Sequence, residues 1–315
     1  METKELSIWR DGSILNPRLP SAVSLMYFKH ITIVGVGLIG GSFALAVRRA
    51  GVCERITGWD RKNVLDRAIT GRVIDGVENA FESGAVSEAD LVYLATPVGA
   101  ILSFLRTRSK SFRPGVIVTD AGSTKREICR VAREALPQDV SFVGGHPMAG
   151  SERTGVEFAD ANLFDGAPYA LVPGDGEHAD AVRRIAETVK SIGARPMIMS
   201  AERHDRIAAR ISHSPQLVST ALALSVAQTN DSDALSLGGS GLAEMTRLAE
   251  SRWSVWEDIC RTNSDEITSA LDEAIAQIEA VRMAISSGDF SSVGDMFNTA
   301  GESTRRVRES KGKRV

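Results

Sequence analysis

His30 to Gly41 reads HITIVGVGLIGG, a β-branched run that passes directly into glycines at the spacing G-x-G-x-x-G. The run predicts a strand, the glycines a tight turn, and the apolar stretch Ser42 to Ala50 a helix. In that context Gly35 permits the turn. Gly37 lets a pyrophosphate approach the backbone, and Gly40 lets helix and strand pack closely. Leu38 and Ile39 complete the loop. Asp60 stands 20 residues beyond Gly40, at the end of the strand-like run Ile56 to Trp59. A carboxylate there accepts both ribose hydroxyls of NAD and repels a 2′-phosphate. The neighbouring Arg61 could instead meet the phosphate of NADP. The expected cofactor is NAD, with NADP the lesser alternative. A glycine turn beside a surface aspartate is the plainer reading, and the register of strand, turn, helix and acid weighs against it.

Further along, Leu91 to Ala95 and Val116 to Thr119 read as strands, with helix-compatible segments at Asn63 to Ala68 and Lys125 to Ala135. Tyr169 to Val172 and Pro196 to Met199 could close the same sheet. Alternating strands and helices imply βαβ units, a mostly parallel, doubly wound sheet of the Rossmann type. Ligands bind along the C-terminal edge of such sheets, where Thr96-Pro97 and Ser123 are expected. Small polar residues at strand ends are also common helix caps.

After about residue 200 strand signals disappear. Asn263 with Glu266 three residues on suggests a capping box, and Ile267, Leu271, Ile275, Ile278, Val281 and Ile285 recur at helical spacing. The expected domains are therefore 26–200, dinucleotide-binding, and 201–315, helical, behind a disordered extension at 1–25. The basic tail Arg305 to Val315 is read as a solvated end.

Bulk properties narrow the class. The 315 residues are 43% hydrophobic and 24% charged with a formal net charge of −3, which argues against nucleic acid as the main partner. Three cysteines without a CxxC pair favour a reducing cytoplasm over a disulfide framework or a common zinc site. No apolar run reaches the length of a membrane span, and the first 25 residues are a poor signal peptide.

Phe142 to Glu152 reads FVGGHPMAGSE. Two glycines and a proline disfavour a helix, so His146 is expected at a strand end or on a loop. A single histidine in such a place is more often structural than catalytic.

Several segments, taken together, resemble the prephenate/arogenate dehydrogenase family of tyrosine biosynthesis. They are GVGLIGGS, LATPV, DAGSTK, GGHPMAGSERTG, NLFDGAPYALVP, HDRIAARISHSP and EMTRLAESRWSVWEDI, in family order over about 230 residues to Ile259. The resemblance implies a helical domain that dimerises. It also implies oxidative decarboxylation of prephenate: C4 of the ring gives a hydride to NAD, and the ring carboxylate leaves as CO₂. It makes His146 the base that takes the hydroxyl proton, and Ser123 a hydrogen-bond partner of that hydroxyl that helps hold the histidine. Arg247 becomes the substrate-binding arginine, with Glu244 one helical turn earlier placed to pair with it. Ser151, Glu152 and Trp256 match positions near the substrate, and no metal is required. His213 is kept, but where many prephenate-using members read SHLPH this chain has Gln216 for the second histidine. An amide carries no positive charge, which leaves prephenate against arogenate open. Some members append a regulatory ACT domain; none follows in this sequence, so any inhibition by tyrosine is expected at the active site.

Two other classes fit these residues less well. A hydroxy-acid dehydrogenase of the same plan would place a catalytic lysine early in the second domain, yet residues 191–310 contain no lysine. A non-catalytic nucleotide sensor would have no reason to keep His146, Ser123 and Arg247 together.

Overall fold

The computed structural model describes residues 28–150, 153–174, 179–229, 233 and 236–312. The expected extension at 1–25 lies outside them, as do Ser151, Glu152 and the last three residues of the tail.

Strands β1 (Phe28–Val34), β2 (Cys53–Trp59), β3 (Gly76–Val77), β4 (Leu91–Leu94), β5 (Ile117–Asp120), β6 (Ser141–Pro147), β7 (Pro168–Pro173) and β8 (Arg195–Ile198) form one sheet in the order 3-2-1-4-5-6-7-8. All neighbours are parallel except β6 and β7. The order of the first six strands is that of the dinucleotide-binding sheet. β4 reads LVYL with every side chain buried, because a central parallel strand is covered on both faces.

Alternation along the strands sorts the core into two layers. Ile31, Ile33, Leu91 and Tyr93 pack with the helices Leu38–Arg49 (α1), Lys62–Thr70 (α2) and Ala179–Ser191, and Phe43 of α1 stacks on Tyr93 at 3.9 Å between centroids. Val34, Val92, Leu94 and Val118 face the other way, against the helices Val98–Arg108 and Arg126–Ala135. Phe81, Phe104 and Phe112 pack edge to face or tilted in this second layer.

From Ala201 onward the described chain is helical. Ser200 caps the first of these helices, its hydroxyl accepting from the Arg203 N–H at 3.2 Å. That helix, Ala201–Ala208, runs through a π-helical segment, Ala209–His213, into Ser214–Ala227. Next come Ser240–Thr246, the 3₁₀ turn Arg247–Glu250, Trp253–Thr262, Ser264–Ser287 and Phe290–Gly312. The core here is small, with Ala209, Ile259, Ile267 and Ala270 at its centre. Asn263 sits at the N-cap of Ser264–Ser287, but the expected capping box does not form, because its side chain reaches away to Asp205 and Arg126. No helix among the described residues is long and apolar enough to cross a membrane.

Candidate active site

The glycine turn follows β1 as the spacing requires. Gly35 has φ +92°, and a Cβ there would lie 2.7 Å from Thr96 Cγ2. A Cβ on Gly40 would lie 2.0 Å from the Gly35 carbonyl oxygen, so no side chain fits where α1 crosses the turn. Gly37 differs: a Cβ there meets nothing within 4 Å, and no side chain caps the first turn of α1. The backbone of Gly37, Leu38 and Ile39 thus offers N–H groups at an open helix N-terminus, the arrangement a pyrophosphate needs.

Asp60 is held at the end of β2 by two backbone donors, Val36 N–H at 2.8 Å and Arg61 N–H at 2.7 Å. A cavity of about 380 Å³ opens beside it, lined by Gly37, Asp60, Arg61, Arg67, Glu157 and Arg252 among others. The Arg61 side chain is 84% exposed at its mouth. Thr96 Oγ1 is buried with no hydrogen-bond partner among the described residues. An open Gly37, an oriented carboxylate and an orphaned hydroxyl fit a dinucleotide. Pro97 precedes Val98–Arg108, whose Gly99 N–H is taken by Asp258 at 2.7 Å.

His146 lies one residue from the C-terminal end of β6. Its backbone is set by a buried ion pair beneath it. Asp120 accepts from Gly145 N–H at 2.9 Å and Gly122 N–H at 2.8 Å, while Lys125 Nζ bonds Asp120 and donates to the Gly145 carbonyl at 2.8 Å. Its ring is held by His204, with Nδ1 2.9 Å from His204 Nε2. His204 Nδ1 in turn lies 2.7 Å from Asp205 Oδ1. Burial, then the nearby charges of His204, Lys125 and His213, push the His146 imidazole well below its usual pKa. It is therefore neutral near pH 7.

Burial alone would raise the Asp205 carboxyl. Hydrogen bonds from His204 and from the Arg126 and Lys125 N–H groups overcome that and hold it low. His213, 1% exposed in the π-helical segment, receives an N–H from Asn263 Nδ2 at 3.3 Å and packs its ring edge-on to Trp256. Burial lowers its pKa to about 4.

Other expected contacts differ. The Ser123 hydroxyl has no protein partner among the described residues, and the bond that holds His146 comes from His204. No ion pair or hydrogen bond joins Glu244 and Arg247; both are exposed, on either side of the junction where Ser240–Thr246 gives way to a 3₁₀ turn. Gln216 is turned inward. Its Nε2 donates to the Leu248 carbonyl at 2.6 Å and its Oε1 accepts from the Ser251 hydroxyl at 3.2 Å, so both ends of the amide are engaged within the chain. Trp256 packs partly on the small helical core, whereas Trp253 is 62% exposed.

The residues that spacing alone did not single out for the site are His204, Asp205 and Lys125; Asn263 was read from its spacing as a helix cap, not as part of the site. His204-Asp205 was visible only as an adjacent pair inside HDRIAARISHSP, and nothing in a sequence says that it folds against a histidine 58 residues away.

A dinucleotide turn, a neutral imidazole at the sheet's C-terminal edge and a helical second half define a nucleotide-dependent oxidoreductase. Residues 43–198 match the family model for the prephenate dehydrogenase nucleotide-binding domain, and residues 200–299 that for its dimerization domain. The chain is 37% identical to prephenate dehydrogenase of Bacillus subtilis over 86% of its own length and 74% of the relative's. It is 33% identical to cyclohexadienyl dehydrogenase of Zymomonas mobilis, over 83% of this chain and 90% of that one. The crystal structure of A. aeolicus prephenate dehydrogenase in complex with hydroxyphenyl propionate and NAD+ superposes with a TM-score of 0.83. It shares 26% identity over 89% of this chain and 98% of that chain. The chain belongs to the prephenate dehydrogenase family.

Proposed function

We propose that this chain catalyses the NAD-dependent oxidative decarboxylation of prephenate to 4-hydroxyphenylpyruvate, in the cytoplasm, as a homodimer serving tyrosine biosynthesis. The observation that carries this reading is a neutral His146 at the C-terminal edge of the sheet, two strands from β4 and three from the glycine turn of β1. Gly35, Gly37, Leu38, Ile39 and Gly40 hold the dinucleotide, Asp60 its ribose, and Thr96 and Pro97 flank its far end. When bound, the nicotinamide supplies a hydride acceptor. His146 takes the proton of the C4 hydroxyl as hydride leaves that carbon; the electron pair of the ring carboxylate bond then completes the aromatic ring, CO₂ departs, and the phenolate oxygen regains a proton. Aromatisation drives that loss. Ser123 orients the hydroxyl, and Arg247 binds a carboxylate, with His213 and Trp256 around the substrate; for Ser151 and Glu152, outside the described residues, a substrate role rests on the family resemblance alone.

The division between a dinucleotide-binding half, 26–200, and a helical half, 201–315, belongs to the same proposal. It is supported by the last strand ending at Ile198 and by the Ser200 cap. Arogenate is the second reading, favoured by the inward turn of Gln216, which leaves no cation at the place of the second family histidine.

The test is His146→Asn assayed with two substrates against two cofactors. Turnover is expected to fall roughly 10²–10⁴-fold with NAD affinity kept. Full activity in the variant excludes this role for His146, and faster wild-type turnover of arogenate decides for the second reading.

A further inference from the structure

A histidine base is useful only if its lone pair stands on the correct nitrogen. The contacts behind His146 decide which one that is. Asp205 receives three N–H groups, Lys125 N at 2.7 Å on Oδ1 and Arg126 N at 2.9 Å and Arg126 Nε at 3.3 Å on Oδ2, and its Oδ1 also lies 2.7 Å from His204 Nδ1. With three fixed donors on its two oxygens, the carboxylate acts as an acceptor and stays ionised, so its contact with His204 needs a donor there too. The N–H groups of Lys125 and Arg126 belong to the open N-terminus of Arg126–Ala135, a place that favours negative charge. His204 must therefore carry its proton on Nδ1. With its one ring proton on Nδ1, His204 presents a lone pair at Nε2, and the hydrogen bond His146 Nδ1 then makes with it is as donor.

We propose that His204 and Asp205 are positioning residues that keep the His146 proton on Nδ1 and so leave Nε2 as the basic nitrogen. This rests on the reading of His146 as the base. Once Nε2 accepts the substrate proton, the imidazolium donates from Nδ1 toward His204, and the nearest full negative charge behind that bond is Asp205. Other charged or titratable groups facing this ring are Lys125, paired with Asp120 beneath Gly145, and His213. The Lys125 charge opposes the imidazolium and the Asp205 charge favours it. His204 and Asp205 are 3% and 0% exposed, so the chain leads to no solvent exit; it fixes a tautomer and steadies a charge. Asn263 completes the mounting by donating to the Asp205 backbone carbonyl at 2.9 Å.

The experiment uses full-length protein with ¹⁵N-labelled histidine. Ring-nitrogen spectra assigned through His146→Asn should show wild-type His146 protonated on Nδ1, a measurement that needs no turnover. His204→Phe removes the acceptor. Its kcat is expected to fall on the order of 10²–10⁴-fold with NAD affinity unchanged, and its His146 proton should move to Nε2. His204→Gln, whose carbonyl can accept from Nδ1–H, should recover most of the activity. A proton on Nε2 in the wild type overturns the proposal, as does wild-type kcat in His204→Phe or an equal loss in the Phe and Gln variants. Where His204→Phe fails to fold, the wild-type spectrum decides alone. If His146→Asn stays active the base reading falls instead, and the two failures are distinct.

Discussion

Gln216 shows how one side chain can differ from its family position and still be held at both ends of its amide. Its amide ties Ser214–Ala227 to the turn that begins with Arg247, through Leu248 and Ser251. In Gln216→Leu the Leu248 carbonyl and the Ser251 hydroxyl lose their partner, so stability should drop by about 1–3 kcal/mol. On the proposed role of Arg247 as the substrate's carboxylate ligand, KM should rise more than kcat falls, because the turn that begins with Arg247 loses its tie while His146 keeps its own. Steady-state kinetics beside urea unfolding checks both, and unchanged KM would separate Gln216 from the arginine. His213 makes a second residue-scale prediction. Its pKa is about 4 when folded and near 6.5 when unfolded, so below pH 6.5 the unfolded chain takes up a proton that the folded chain refuses. Stability should therefore fall between pH 6.5 and 4, by up to about 3 kcal/mol from this group, and His146 acts in the same direction. Urea midpoints in that range should decline in the wild type and decline less in His213→Gln.

The strand, turn and helix at His30 to Arg49 were legible because each glycine has a separate steric duty, and these duties make opposite predictions. Gly40→Ala sets a methyl against backbone at 2.0 Å, which only a shift of the helix can relieve, so it should unfold at lower temperature and denaturant. Gly37→Ala meets open space; it should keep its melting temperature and lose dinucleotide affinity, as calorimetry would show. Equal effects in the two variants would break the assignment. Regular elements were readable because burial imposes a period: β4 is buried throughout, and Gly288, at φ +73°, ends the long helix where the glycine stood. Elements without a period were not. β3 has two residues, and the π-helical segment that carries His213 has no sequence mark of its own. Asn263 reads as a helix cap from its spacing with Glu266, but a buried carbonyl on Asp205 has the stronger claim on its amide. Side chains that answer a distant partner are invisible to local pattern, and His204, Asp205 and Gln216 are all of that kind.

At the scale of the whole molecule, the two halves are joined by polar contacts near the sheet's C-terminal edge. Asp258 bonds Gly99 N–H at 2.7 Å, Thr124 and Thr262 share a hydroxyl contact at 2.7 Å, and Arg126 bonds Asp265 at 2.7 Å. The helical half leaves much of its apolar surface uncovered by its own chain. The stripe that begins with buried Ile267 continues to Ile275 and Ile278, 60% and 58% exposed, and the next helix adds Phe290 and Phe297 at 70% and 74%. A period that predicts a core-facing helix thus turns outward beyond its first turns. Side chains of this size contribute roughly 1.5–3 kcal/mol each when fully buried, and a monomer that left them in water would forgo that contribution. A second copy of this surface is the occupant the proposed homodimer requires. Ile278→Glu combined with Phe297→Glu should convert a dimer into a monomer in sedimentation velocity at micromolar concentration, because charges cannot be desolvated there without partners. The glycine turn and Asp60 lie in the first half of the chain, away from Ile278 and Phe297, so the double variant should retain NAD affinity while its helical half melts at lower temperature. A wild-type monomer at that concentration, or a double variant that remains dimeric, would place the subunit contact elsewhere.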